Sequence, residues 1–69
     1  MVEPRRLPDG RLSLSWMGKE GVHYVVEAAS VSSMNWQDVS PVIPGRGQEH
    51  QLLLVPEQSK IYRLRAYRP

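Results

Sequence analysis

Apolar and polar residues alternate most cleanly in two runs of the chain. From Arg11 to Trp16 the apolar set is Leu12, Leu14 and Trp16, and the polar set is Arg11, Ser13 and Ser15. A period of two puts these sets on opposite faces of a half-buried strand. From Val22 to Ala29, Val-His-Tyr-Val-Val-Glu-Ala-Ala holds β-branched and aromatic residues with no Pro or Gly inside. This is the strongest strand signal in the chain, and the other elements are organised around it. Tyr24, Val26 and Ala28 fall on one of its faces, and His23, Val25 and Glu27 on the other. Gly18-Lys19-Glu20-Gly21 between the two runs reads as a hairpin turn.

The remaining segments are weaker. Residues 1–10 hold Pro4, Pro8 and an Asp9-Gly10 turn signal, which predicts an extended arm with at most a short edge strand. Ser30 to Asn35 is a Ser-rich connection with Met34 as its apolar anchor. Trp36 to Val39 is a short strand that Val42-Ile43 either extends or follows as a separate one. Pro41, Pro44, Gly45 and Gly47 keep that region away from a sheet centre. His50 to Val55 is an apolar run with a polar start, and Pro56 to Ser59 is a turn. Lys60 to Tyr67 is the last strand, with Tyr62, Leu64 and Ala66 inward and Ile61, Arg63, Arg65 and Tyr67 outward. No stretch carries apolar residues at helical spacing. The expectation is an all-β fold: a small antiparallel β-sandwich of five to six strands over residues 11–69, preceded by the arm.

Size sharpens this picture. Sixty-nine residues allow one domain, which buries only roughly 60% of its unfolded surface. Small domains lean on disulfides, metals or partners, and this chain has no Cys and only two His, well apart in sequence. That leaves a partner or an unusually good core. No apolar run approaches the roughly 20 residues of a membrane span, and Met-Val-Glu-Pro-Arg-Arg has no signal-peptide core. Charge is uneven: residues 1–45 carry four Lys/Arg against five Asp/Glu, and residues 46–69 five against two. The basic end also holds Tyr62 and Tyr67, an Arg-aromatic mixture of the kind that nucleic acid attracts.

Candidate catalytic chemistry is sparse. Trp16 sits at an inward strand position and reads as core; Trp36 follows a loop and is either a lid or an exposed contact. His23 and His50 have no third ligand nearby and read as solvent-facing strand residues. Neither Glu27 with Glu49 nor Asp38 with Glu49 is spaced to share a cleft. No serine lies in a nucleophile elbow, and Gly45-Arg46-Gly47 lacks the Lys-Ser/Thr ending of a phosphate loop. No enzyme, metal or cofactor is implied.

With the strands placed, a family pattern emerges. Leu12-Ser13-Leu14-Ser15-Trp16 resembles the second strand of a fibronectin type III domain, and Tyr24-Val25-Val26-Glu27 resembles its third. Pro56 followed by Tyr62-Arg63-Leu64-Arg65-Ala66 is similar to the turn into the sixth strand, with Tyr62 in the position of the corner tyrosine. The stretch from Ala29-Ser30 to Met34-Asn35-Trp36 is similar to a bacterial variant. The resemblance covers residues 11 to 67 and implies an immunoglobulin-like sandwich. A full domain of this type has seven strands, and the seventh has no counterpart in this sequence. The family also implies an extracellular or cell-surface setting.

Two functions follow as expectations. The first is a non-enzymatic structural or protein-interaction module, an accessory subunit or a domain of a larger assembly, joined to other protein subunits through open strand edges. Its candidate contacts are Arg5, Arg6, Trp36, Arg63, Arg65, Tyr67 and Arg68. The second is a small β-barrel that binds nucleic acid through Arg63, Arg65, Tyr67 and Arg68 of the basic last strand. Against it, an Arg row on an edge strand also blocks sheet-to-sheet aggregation, and Glu27 is placed to form a cross-strand ion pair with that row.

Overall fold

The structure is a computed structural model, and it describes residues 2–69. It is all-β, two antiparallel sheets packed face to face, with no helix and hence none long and apolar enough to cross a membrane among the described residues. Sheet A contains β1 (Glu3–Arg6), β2 (Leu12–Gly18) and β6 (Gln48–Leu54), with β2 in the middle. Sheet B is built on β3 (His23–Ser30). Along one side of β3 runs β7 (Lys60–Tyr67), and the two-residue strands β4 (Gln37–Asp38) and β5 (Ile43–Pro44) share the other.

The arm is more ordered than its prolines suggest. It pairs with β2 over four residues, Glu3 opposite Ser15 through Arg6 opposite Leu12. Pro4 is tolerated because β1 is an edge strand, where one side of the ladder needs no donor. Gly10 turns the chain back with φ of +91° and gives its N–H to the Leu7 carbonyl at 3.0 Å.

The broken middle of the chain is stitched along β3 by a side chain. Pro41 has no N–H, and next to it the Ser40 hydroxyl takes over a backbone role. Its Oγ accepts the Val26 N–H at 2.9 Å and donates to the Pro41 carbonyl at 3.0 Å. On the same side Val26 O accepts Val39 N–H, and Val22 O accepts Gly45 N–H, both at 2.8 Å. The Trp36–Val39 stretch therefore contributes β4 and the stretch after Val42 contributes β5, two separate short strands on one side of β3.

Between the sheets lie Leu14, Trp16, Val22, Tyr24 and Val26, with Leu12, Leu52, Leu54, Tyr62 and Leu64 packed around them. Trp16 and Tyr24 meet with ring centroids 5.8 Å apart, tilted by 44°. The inward faces of β2, β3 and β7 are those the alternation predicts. Four positions differ. Ser13, expected on the solvent face, is buried and accepts Gln51 Nε2–H at 2.8 Å. Val25 and Glu27, expected on an open face, are 1% and 7% exposed, because β3 is flanked on both sides and long side chains of β7 cross its outer face. His50 does not face solvent: it stands opposite Trp16 in the β2–β6 pair, with ring centroids 5.8 Å apart. Gly18 makes room for it, since a Cβ at that position would run into the His50 ring.

Candidate interaction surface

Two features stand out from the sandwich, and both belong to β7. The first is its outer face. Antiparallel register sets Arg63 opposite Glu27 and Arg65 opposite Val25, so both guanidinium groups flank one carboxylate. Arg63 Nε–H donates to Glu27 Oε1 at 2.8 Å, and Arg65 Nε–H donates to Glu27 Oε2 at 2.9 Å. Asp38 on β4 adds its Oδ1 3.5 Å from Arg65 Nη2. The Arg63 hydrogen bond, with that of Arg65, holds the Glu27 carboxyl below its ordinary range against the opposing effect of burial. In return Glu27 raises the pKa of Arg65.

Aromatic rings close the row at either end. Arg63 lies over the Trp36 ring, 3.8 Å from its centroid, and Arg65 lies 5.0 Å from the centroid of Tyr67. Tyr67 meets His23 edge-on at 5.6 Å. Thus Trp36, Arg63, Arg65 and Tyr67 share one face. The other candidate contacts stand apart from it. Arg5 and Arg6 are exposed on β1 of the other sheet, where Arg5 borders a polar hollow with Glu3, Ser13, Ser15, Glu49 and Gln51. Arg68 follows β7, is exposed and has no ion-pair partner among the described residues.

The second feature is the edge of β7 itself. This strand of eight residues pairs with β3 on one side and with no described strand on the other. Its inward residues are poorly covered as a result. On β3, Tyr24, Val26 and Ala28 are buried; their partners on β7, Ala66, Leu64 and Tyr62, are exposed or half-buried. Beside them opens a largely apolar groove of about 410 Å³, lined by Val2, Trp16, Met17, Lys19, Tyr24, Leu64 and Ala66. The other sheet edges differ: β4 and β5 have two residues each, β1 has four and a proline, and β6 carries Glu49 beside the polar hollow.

The sequence reading found the Arg row but missed the burial of Glu27 and the position of His50. His50 shares strand parity with Leu52 and Leu54, and that signal was sufficient to turn it inward. Trp16 Nε1 and His50 Nε2 are both buried with no hydrogen-bond partner among the described residues. Those residues also contain no cluster of three or more His, Cys, Asp or Glu side chains able to hold a metal ion. No protein-family model, curated protein or solved structure matches this chain.

Proposed function

We propose that this chain is a non-enzymatic interaction module of the fibronectin type III type, a subunit or domain that joins a larger protein assembly through the edge of β7. The observation that carries this reading is the unpaired flank of β7 beside a half-covered apolar inner face. A strand with open N–H and C=O groups is a template for a strand from another chain. Partner surface over Leu64 and Ala66 would add the burial that so small a domain lacks. The family assignment draws support from the pairing of β1 with β2 and β3 with β7, and from the hydroxyl of Tyr62, which accepts the Glu57 N–H at 2.9 Å just after Pro56. That bond is the kind a corner tyrosine makes.

A nucleic-acid role for the same arginines is the weaker reading. Glu27 and Asp38 occupy part of both guanidinium groups, and Trp36 covers one face of Arg63. The test is a photoreactive residue at Arg68, next to the β7 edge, with the same residue at Val31 as control. Discrete protein adducts from position 68 alone are expected in cells. Nucleic-acid adducts, or equal labelling from both positions, would overturn the module reading.

A further inference from the structure

Resting on that reading, we infer that the β7 edge takes an extended segment of another protein that is apolar on one face and acidic on the other, and that it rejects a second copy of this chain. A strand laid beside β7 must continue the alternation of sheet B. Its inward side chains enter the groove between Leu64 and Ala66 of β7 and Val2, Trp16 and Met17 of the facing side. These are apolar, so the inward positions call for apolar residues. Its outward side chains come to lie beside Ile61, Arg63, Arg65 and Tyr67.

Charge then selects the occupant. Both carboxylates that answer Arg63 and Arg65, Glu27 and Asp38, approach from the β3 side of the strand. Among the described residues the open flank meets no strand and no carboxylate from one. Arg68, directly after β7, has no ion partner among the described residues. Acidic residues at the outward positions therefore find Arg63 and Arg65 beside them and Arg68 at the end of the strand. Opposite charges across neighbouring strands stabilise a pair and like charges destabilise it.

The same row works against self-association. If β7 paired antiparallel with β7 of a second copy, centred on Leu64, Arg63 of each would face Arg65 of the other. Discrimination of this kind needs a repulsive element as well as an attractive one, and the Arg row supplies both.

The experiment uses the whole chain and two synthetic peptides with the eight-residue length of β7. One alternates Val and Glu, the other Val and Lys. Binding is followed by calorimetry and by the amide exchange of residues 60–67. The Val/Glu peptide is expected to bind at least tenfold more tightly than the Val/Lys peptide and to slow exchange along β7. Ala66→Arg, which puts a charge into the groove at an exposed position, is expected to weaken the Val/Glu peptide tenfold or more with an unchanged melting curve. Equal affinity for both peptides, binding that leaves β7 exchange untouched, or no binding of either would overturn the inference. Protein adducts from position 68 together with any of those results would leave the module reading standing and remove only the acidic strand.

Discussion

The guanidinium of Arg63 lies over the Trp36 ring, 3.8 Å from its centroid, while its Nε–H donates to the carboxylate of Glu27. Trp36 comes from the loop before β4, so one contact ties the irregular middle of the chain to the end strand. It also orients the fork that, with Arg65, allows Glu27 to be 7% exposed on a sheet face. A buried carboxylate persists only when paired and hydrogen-bonded.

Trp36→Ala should therefore destabilise the domain modestly. An exposed cation–π pair contributes about 0.5–1 kcal/mol, and the measured change in urea unfolding should fall in that range. A change near zero would mean that the stack is not formed in solution.

The double variant Arg63→Ser, Arg65→Ser should lower the melting temperature by more than the loss of two exposed ion pairs would. Removing both leaves Glu27 buried and unpaired. Adding Glu27→Gln to the double variant should recover part of the loss, because the orphaned group is then neutral. Thermal melts of the three proteins decide this.

Acid should weaken the fold through the same carboxylate. Glu27 sits below its ordinary value of 4.5, and Asp9, which accepts the Arg11 N–H, sits below 3.8. Unfolding returns both to ordinary values, so the unfolded chain binds protons more readily. Their stabilisation is complete above about pH 5 and fades as pH falls through the depressed folded values. Urea midpoints measured from neutral pH down to about pH 2 should fall below pH 5, and Glu27→Gln should flatten the curve.

Trp16→Ala should cost about 3–5 kcal/mol, a large share of the stability of so small a domain. Gly18→Ala should also destabilise, since the new methyl meets the His50 ring. In a His50→Ala background the same substitution should cost far less, and a double-mutant cycle by urea unfolding measures that coupling.

The sheets were legible wherever burial follows alternation along one strand. Leu12 to Trp16 and Tyr24 to Ala28 declare their inward faces directly. Ser13, Val25 and Glu27 did not, because what covers them comes from distant segments: Gln51 for Ser13, and Arg63 and Arg65 for Glu27. The Arg row was visible in sequence, and so was a last strand with a single neighbour. Its groove was not, because Val2, Trp16, Met17 and Leu64 meet only once both sheets are packed.

Amide hydrogen exchange of the isolated chain across residues 60–67 tests the open edge most directly. Antiparallel pairing on one side engages alternate N–H groups only. The expected result is protection at every second residue of β7, with fast exchange at those between, unchanged on dilution. Uniform protection along β7 would contradict the account, because it would mean that the edge is already covered.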